Sequence, residues 1–443
     1  MKRNNGIHFY INIENLDDVI EHEEASTGEI RHSIHALDTF FSSVEGYGQR
    51  HYRNELVIEK ITGSRLHMYV TSNDIVRCFE IVSAVTQYSQ RLVYYMSQNI
   101  SKYKTLVRFQ IQSGACYGRF YEFTFKAEQG EELTTIGFAC NYAAKLQGLA
   151  PASHITISES IFDELPEYQR SMFRKKESKL IKKYEQSYYY DALISTLTTT
   201  FKFDKDLRRA AEIAQRVNLQ DIQFRSATKP ISFDNLSKTE CKKIEGIPVF
   251  ADIRDFTSQF DADDANLDDM ANKTQDILMT MYKTVTERNG IHVQFQGDRE
   301  MALFHDYNDY SCASDAVIAG MKMVDMVKEF QVSIGVGQAC GRLFAAKIGA
   351  RNSKDNILLG RTVIQADRNE DVFAEKNQVV ISEDIYNRIN AEKPALAKLF
   401  HSKADGLYFT ENGYADFLRR AQETTLQQDN NERNYNGAWR ANG

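Results

Sequence analysis

The chain carries two copies of one sequence pattern, and this duplication constrains its fold more than any other feature. In each copy a short apolar strand ends in a polar turn, a hairpin signal follows, and a glycine then leads into a helical segment. The corresponding segments are 6–16, 58–69 and 137–145 in the first copy and 247–257, 293–304 and 360–368 in the second. The spacing between partners shrinks gradually along the chain, as it does when related domains differ in loop length. We therefore expect two related domains.

The boundaries of these domains follow from composition and periodicity. The 443 residues allow two to three domains, at roughly 150 residues each. Segments of helical periodicity, at 75–96 and 267–285, alternate with strands, which indicates an α/β or α+β sandwich. The predicted division is a first domain at 1–195, a partly helical linker at 196–245, a second domain at 246–420 and a polar tail at 421–443.

Composition excludes several classes of protein. The formal net charge of −7 disfavours a protein that coats nucleic acid, because such proteins usually carry a basic excess. The six cysteines show no paired spacing, which is typical of buried thiols in a reducing compartment. No apolar run approaches the roughly 18–20 residues that a membrane span needs. We therefore expect a cytoplasmic protein without a membrane or nucleic-acid partner.

Asp252 and Asp298 are the strongest candidates for chemistry. Asp252 ends a strand and Asp298 lies in a hairpin turn, and neighbouring strand ends can bring two carboxylates to the spacing that paired divalent cations require. Oxygen ligands suit Mg²⁺ or Mn²⁺ better than zinc. Taken singly, each residue is more typical of a helix N-cap or a turn. The other copy has Asn12 and Ser64 at these positions, and capping does not explain why one copy keeps both acids while the other has neither.

Three motifs resemble those of the class III nucleotidyl cyclases. Phe250-Ala-Asp252-Ile-Arg-Asp-Phe-Thr257 is similar to the first metal motif of the family, and Gln296-Gly-Asp298 to the second. Gly137-Phe-Ala-Cys-Asn141-Tyr-Ala-Ala-Lys145 resembles the transition-state segment, where the family has an Asn followed four residues later by an Arg. The resemblance extends over 7–191 and 247–409. It implies two ferredoxin-like α/β sandwiches that face each other as an internal head-to-tail pseudo-dimer.

The resemblance implies one complete site that draws on both domains and on two divalent cations, Mg²⁺ or Mn²⁺. The implied residues are Asp252, Ile253 and Asp298 for the cations; Ile253, Phe256, Thr257 and Lys183 for phosphate; Lys60 and Thr134 for the base; and Asn141 and Lys145 for the ribose and the α-phosphate. The amides of the 253–257 turn are expected to open a helix, which is a natural phosphate seat.

Two of these assignments have alternatives. Lys182 is the alternative to Lys183, and a charged run of this kind is more often a solvated surface. Lys145 stands where the family has arginine, and lysine is a point charge that cannot make the bidentate contact of a guanidinium. A solvated lysine on a helix face is the alternative for Lys145.

The mirror-related site is expected to be inactive. It would combine Asn12, Ser64, Gln294, Ile357, Ile364 and Arg368, so that only the arginine of the family pattern is kept. Such an arrangement resembles the mammalian membrane adenylyl cyclases, in which two unequal halves form one active site and one regulatory pseudo-site. Arg108 matches a family arginine near the triphosphate but lies in the wrong half, where the active site would have Ser333. His292, near the second hairpin, is expected to be an ordinary core or surface histidine.

The base is not decided by the residues themselves. Lys60 donates and Thr134 can donate or accept, so the pair fits the ring nitrogen and exocyclic amine of adenine or of cytosine, and disfavours guanine and uracil. A chain filled by two cyclase units resembles the pyrimidine cyclases of bacterial anti-phage (Pycsar) systems, which favours CTP over ATP. There a separate effector binds the cyclic nucleotide without contacting the cyclase. A homodimer is also compatible with the sequence, and the alternative of another class is a non-catalytic nucleotide-binding sensor.

Overall fold

The computed structural model describes residues 2–103, 108–127, 130–182, 184, 186–197, 202–259, 266–350 and 355–420. Within these residues the chain forms two mixed sheets, one from each copy of the sequence pattern, with helices packed against them. The two-sandwich fold predicted from the sequence is confirmed.

The first sheet has eight strands in the order β2-β3-β1-β4-β6-β8-β7, with β5 paired to β4. The strands are β1 (Lys2–Ile13), β2 (Leu56–Thr62), β3 (Arg65–Thr71), β4 (Ile111–Ala127), β5 (Gly130–Ile136), β6 (His154–Ser158), β7 (Arg174–Lys176) and β8 (Tyr189–Leu193). The helices of this half are α1 (Leu16–Thr27), α2 (Arg31–His51), α3 (Ile75–Asn99), α4 (Phe138–Leu149), α5 (Glu159–Phe162), α6 (Glu167–Arg170) and α7 (Lys179–Lys182). The periodicity at 75–96 thus marks α3.

The second sheet has ten strands, seven of them in the order β11-β12-β10-β13-β16-β18-β17. The strands are β9 (Gln223–Ser226), β10 (Glu240–Ile253), β11 (Ile291–Gln296), β12 (Arg299–His305), β13 (Ile334–Gln338), β14 (Gly341–Ile348), β15 (Asp355–Leu359), β16 (Gln378–Ser382), β17 (His401–Ser402) and β18 (Leu407–Thr410). The helices that follow α7 in the chain are α8 (Asp204–Gln215), α9 (Leu267–Thr286), α10 (Ala313–Val327), α11 (Arg361–Arg368), α12 (Glu383–Glu392) and α13 (Pro394–Ala397). The periodicity at 267–285 marks α9.

The two halves match in register as well as in strand order. Asn12 of β1 lies opposite Arg65 of β3, and Asp252 of β10 lies opposite Arg299 of β12. The first strand of each hairpin also carries an irregularity at the same place, between 58 and 60 in β2 and between 292 and 294 in β11. This matching register places Asn12 and Asp252 at corresponding points of their sheets.

The halves exchange arms reciprocally. Phe123 and Phe125 from the β4–β5 arm of the first half pack into the core of the second half. Phe344 and Ile357 from the β14–β15 arm of the second half pack into the core of the first half. Because each arm completes the other half's core, the two halves associate head to tail.

The linker predicted at 196–245 is divided between the two halves. Helix α8 packs on the first half, where Asp206 accepts from Arg50 Nε at 2.9 Å and pairs with His51 at 3.0 Å. Strand β9 instead pairs in parallel with β10, which begins at Glu240, so the second sheet begins before residue 246. Among the described helices, none combines the length and hydrophobicity that a bilayer crossing requires.

Candidate active site at the domain seam

Asp252 and Asp298 lie at one edge of the second sheet. Asp252 is the penultimate residue of β10, and its ladder partner Arg299 directly follows Asp298. Gly297, at φ +73°, makes the tight turn that ends β11. The N-cap interpretation is wrong for Asp252, because it lies inside a strand and α9 begins only at Leu267.

The electrostatics of the two aspartates fit a cation site. Burial and the neighbouring charge of Asp252 raise the pKa of Asp298 well above its ordinary value, and Lys145 acts in the opposite direction. Two neighbouring carboxylates repel each other when both are ionised, and divalent cations between them offset this repulsion. The donor set of Asp252, Asp298 and the backbone of Ile253, whose side chain is buried, therefore fits Mg²⁺ or Mn²⁺.

Two arginines that the sequence pattern does not mark form ion pairs at this edge of the second sheet. The Arg254 guanidinium lies 3.6 Å from Asp252 and 2.6 Å from Glu370, and Arg299 lies 2.6 Å from both Glu370 and Asp367. Glu370 belongs to a π-helical segment, Asn369–Phe373, that directly follows α11. Burial raises its pKa to about 7, while Arg299 opposes the shift. Each arginine follows within two residues of a metal-motif aspartate, and this position was the available sequence signal.

Asn141 comes from the first half and faces the hairpin of the second half. A Cβ atom added to Gly297 would lie 3.5 Å from Asn141 Oδ1, so the two residues meet across the seam. Asn141 Nδ2 is buried without a hydrogen-bond partner among the described residues. A buried, unpaired amide donor at this place is available to a ligand oxygen.

Lys145 lies one helical turn after Asn141 on α4 and is exposed. Its charge lowers the pKa of Asp298, so it lies near the acids of the other half. Burial raises the pKa of Tyr184, and Asp252 and Asp298 raise it further, whereas Lys145 lowers it. The structure thus brings Asn141 and Lys145 to the same seam as the two aspartates.

Lys60 and Thr134 are adjacent but enclosed. Lys60 Nζ donates to Thr134 Oγ1 at 3.2 Å, to Glu132 Oε1 at 2.6 Å and to the carbonyl oxygen of Phe295 at 2.9 Å. The Lys60 side chain is only 3% exposed. The pair expected to contact the base is therefore together, with Glu132 between it and solvent.

Glu132 joins Lys60 to a second buried carboxylate through His292. Glu132 Oε2 lies 3.1 Å from His292 Nε2, and His292 Nδ1 lies 2.8 Å from Glu300. The two carboxylates raise the pKa of His292 to about 10 despite its burial, so the ring is protonated at neutral pH. The sequence pattern indicates an ordinary histidine at 292 and does not mark Glu132 or Glu300. Their alternation with Thr134 and Asp298 was the signal that could have found them.

The phosphate-binding candidates occupy a tighter turn than expected. Phe256 and Thr257 are buried, and Thr257–Gln259 forms a single 3₁₀ turn. The expectation that this turn opens a helix is wrong, because α9 begins ten residues later, at Leu267. Lys183 lies outside the described residues, whereas Lys182 is exposed at the end of α7.

The mirror-related positions offer no carboxylate where the second half has Asp252 and Asp298. Gln294 stands where the first half has Lys60, and both polar atoms of its buried side chain lack a partner among the described residues. Ile357 is buried and Ile364 half-buried, at the places of Thr134 and Asn141. Arg368 stacks over Phe373 at 5.5 Å, and Arg108 is exposed on the first half.

Comparison with known proteins finds a family match in the second half of the chain. Residues 240–410 match the family model of the adenylate and guanylate cyclase catalytic domain, which covers less than half of the chain. Residues 240–410 are thus similar to an adenylate or guanylate cyclase catalytic domain. The curated relative "Adenylate cyclase, terminal-differentiation specific" of Dictyostelium discoideum is 27% identical over 173 residues, which is 37% of this chain and 8% of that protein. The chain thus spans less than a tenth of that relative's length.

Solved structures extend the likeness in fold to nearly the whole chain. A class III adenylyl cyclase-like ATP-binding protein from Pseudomonas aeruginosa superposes with a TM-score of 0.69 at 16% identity, over 95% of this chain and 90% of that one. The adenylyl cyclase CyaB from P. aeruginosa aligns over 38% of this chain and 94% of its own, at 21% identity and a TM-score of 0.33. The first superposition shows that the paired-domain fold has a solved counterpart.

Proposed function

We propose that the protein converts a nucleoside triphosphate to the 3′,5′-cyclic nucleotide and diphosphate at the seam, with CTP as the substrate and cyclic CMP as a messenger in anti-phage defence. The observation that carries the proposal is that Gly297 of the second half lies against Asn141 of the first, with Lys145 close enough to Asp298 to oppose the rise of its pKa. Acids and an amide-plus-cation pair on opposite sides of one cleft suit an in-line displacement at phosphorus.

The reaction forms one bond and breaks one bond at the α-phosphorus. The ribose 3′-oxygen attacks and loses its proton, and the bond from the α-phosphorus to the bridging oxygen breaks to release diphosphate. Two divalent cations held by Asp252 and Asp298 would supply Lewis-acid activation of the hydroxyl and neutralise the triphosphate.

The first half supplies the remaining contacts. The unpaired Asn141 amide would orient the ribose, and Lys145 would neutralise the charge that builds on the α-phosphoryl oxygens. Thr257 and the 253–257 backbone would hold the outer phosphates, with Lys183 as their cation. The choice of CTP rests on the resemblance to bacterial pyrimidine cyclases.

ATP is the second candidate. The curated relative is an adenylate cyclase, and the superposed P. aeruginosa protein is described as ATP-binding. A non-catalytic sensor is favoured by the absence of both acids from the first half and by the lysine at 145. Incubation of the purified protein with each of the four labelled triphosphates and Mn²⁺ separates these candidates. Formation of cyclic AMP alone rejects the pyrimidine assignment, and binding without any product supports the sensor.

Replacement of the acids tests the cyclase proposal. We expect Asp252→Asn and Asp298→Asn each to lower turnover by about 10³-fold, because a neutral amide cannot replace a cation-binding charge. Circular dichroism and the melting temperature check that the fold survives. Asn12→Ala, at the corresponding place in the other half, is the matched control and should leave turnover unchanged. Full activity in the Asp252→Asn variant would reject the site.

The defence role has its own test. Cells that carry the protein should accumulate cyclic CMP after phage infection. Infection without a rise in any cyclic nucleotide would reject the role and leave the chemistry to be judged on the purified protein.

A further inference from the structure

The buried cluster of Lys60, Glu132, Thr134 and His292 is connected to the chain segments that carry the proposed catalytic residues. Phe295, which contacts both Lys60 and Glu132, precedes Asp298 by three residues on the same hairpin. Three residues of chain span at most about 11 Å, which is the scale of a nucleoside. Thr134 lies on β5, which leads directly into α4 and Asn141. The cluster therefore lies where the base of a bound nucleotide would point.

Lys60 has no hydrogen-bond donor left for a base. A lysine ammonium carries three protons, and Glu132, Thr134 and the Phe295 carbonyl accept all three. Because the lysine is almost wholly buried, it serves to hold Glu132 in place. This assignment differs from the direct base contact that the family resemblance implies for Lys60.

Glu132 is the member of the cluster that faces outward. Its side chain is 22% exposed, against 3% for Lys60 and 5% for His292. Oε1 accepts from Lys60 and from the Phe295 amide at 2.9 Å, while among the described residues Oε2 has only His292 as a partner. A carboxylate oxygen accepts about two hydrogen bonds, so Oε2 can accept one more.

The charge of the cluster keeps Glu132 an acceptor. Burial raises the pKa of Glu132, but Lys60 and the protonated His292 ring outweigh burial and lower the pKa below its ordinary value. An ionised carboxylate accepts hydrogen bonds but donates none. It attracts an exocyclic amine and repels the carbonyl oxygen that uracil or guanine presents at the equivalent edge.

We propose that Glu132, positioned by Lys60 and His292, reads the exocyclic amine of a single-ring base and closes the pocket to purines. The inference rests on the proposed function, which it deepens by naming the groups that select cytosine. Phe295, whose amide contacts Glu132, and Thr134, whose hydroxyl contacts Lys60, are both fully buried, so a base has no room to extend past the carboxylate. The mirror half repeats part of the arrangement, since Asp355 accepts from the Ile61 amide as Glu132 accepts from the Phe295 amide, but Gln294 and Ile357 replace Lys60 and Thr134.

The base preference of Glu132→Gln tests the proposal. A glutamine keeps the shape of the side chain but presents an amide that can donate to the uracil carbonyl. We expect the ratio of kcat/KM for CTP to that for UTP to fall at least tenfold, because a site built for a substrate N–H discriminates strongly against its absence. Glu132→Asp keeps the charge and shortens the side chain. This second variant should keep the preference for CTP over UTP while admitting ATP several-fold better.

The control is Glu131→Gln, the next residue on β5, whose side chain is exposed. It should leave all four kcat/KM values as in the wild type. Melting temperatures confirm that the Glu132 variants are folded, and Glu132→Asp, which keeps the partner charge for Lys60, remains informative if Glu132→Gln does not fold.

The outcomes separate the inference from the function on which it rests. If the wild type cyclises none of the four triphosphates, the proposed function fails and the base assignment fails with it. If the wild type prefers CTP and both Glu132 variants keep the same preferences, only the inference is overturned. A wild type that prefers ATP overturns the single-ring pocket.

Discussion

Asn141 and Lys145 of the first half lie close to the metal-motif hairpin of the second half. Asn141 has a buried Nδ2 without a partner among the described residues, and Lys145 modifies the charge of Asp298 from an exposed position. Buried polar groups are almost always paired, so an unpaired one at a seam indicates a place for a ligand. The corresponding residues of the mirror half, Ile364 and Arg368, keep the cation but have lost the amide.

Removal of the Lys145 charge should affect the chemical step. We expect Lys145→Ala to lower kcat by about 10²–10³-fold, since a positioned charge acts on the transition state more than on the bound substrate. Lys145→Arg should retain activity or increase it, because a guanidinium can contact two phosphoryl oxygens. Steady-state kinetics with the preferred triphosphate measure both variants. Arg368→Ala in the mirror half is the control, and an equal loss there would contradict a single active seam.

The two hairpins show how one element can keep its shape and change its role. Both turn through a glycine in the left-handed region, Gly63 at φ +60° and Gly297 at φ +73°. Each glycine is followed by the position of the second metal ligand, which is Ser64 in one half and Asp298 in the other. Within the described residues only the second hairpin faces Asn141, since a Cβ on Gly63 would meet none of their atoms within 4 Å.

Alanine at each of these glycines separates stability from function. Gly63→Ala and Gly297→Ala should each destabilise the protein by about 1–2 kcal/mol, the cost of placing an L-residue in the left-handed region. Only Gly297→Ala should also lower turnover, because the strained turn at Gly297 carries Asp298 and lies against Asn141. Denaturant melts give the stabilities and kcat gives the function. Matching losses of kcat in both variants would show that the hairpin contributes only to the fold.

The layer between sheet and helix has diverged more than the hairpins. In the first half, Cys140, His8, His67 and Glu59 form a buried hydrogen-bonded chain, with successive contacts of 3.4, 3.0 and 3.0 Å. The second half has an apolar cluster there, which includes Val293, Met301 and Val363. Both solutions hold the helix on its sheet, because a buried polar chain is tolerated when each member has a partner.

At the level of the whole molecule, the two halves share cores and polar contacts. Asp355 at the start of β15 accepts from the Ile61 amide of β2 at 2.8 Å. On α2, Glu45 accepts from the Ala350 amide just after β14. Burial raises the pKa of Glu45 from its ordinary 4.5 to about 8, although the Ala350 amide opposes the shift. The seam therefore contains a carboxyl group that prefers to be neutral.

This group makes stability depend on pH. Between about pH 4.5 and pH 8 the unfolded chain ionises Glu45 while the folded chain keeps the proton, so stability falls as pH rises through this window. The slope is at most about 1.4 kcal/mol per pH unit. Glu45→Gln keeps an acceptor for Ala350 and removes the titration. The melting temperature of the variant should therefore exceed that of the wild type by more at pH 8 than at pH 6.

The exposed Glu212 on α8 supplies the control for this measurement. Glu212→Gln should shift the melting temperature little and equally at both pH values. A pH-independent difference between Glu45→Gln and the wild type would show that Glu45 ionises normally in the folded protein.

Some features could be predicted because each depends on neighbouring residues. These are the duplication, the helices α3 and α9, and the position of Asp252 where a strand meets a turn. Hydrophobic period and turn chemistry act over a few positions, so the printed sequence is sufficient for them. The failed expectation of a helix directly after Asp252 is of the same local kind, since Asp255 at φ +56° breaks the turn before a helix forms.

The Glu132–His292 contact joins residues 160 positions apart, and only the head-to-tail packing of the two halves decides it. The sequence alone determined that there are two related units and that one of them keeps a pair of acids. Tertiary structure decided that Lys60 is enclosed, that Asn141 faces Gly297, and that Glu132 is the outward-facing carboxylate. The physical reason is that burial and charge pairing depend on which surfaces meet, and no local pattern of residues encodes that meeting.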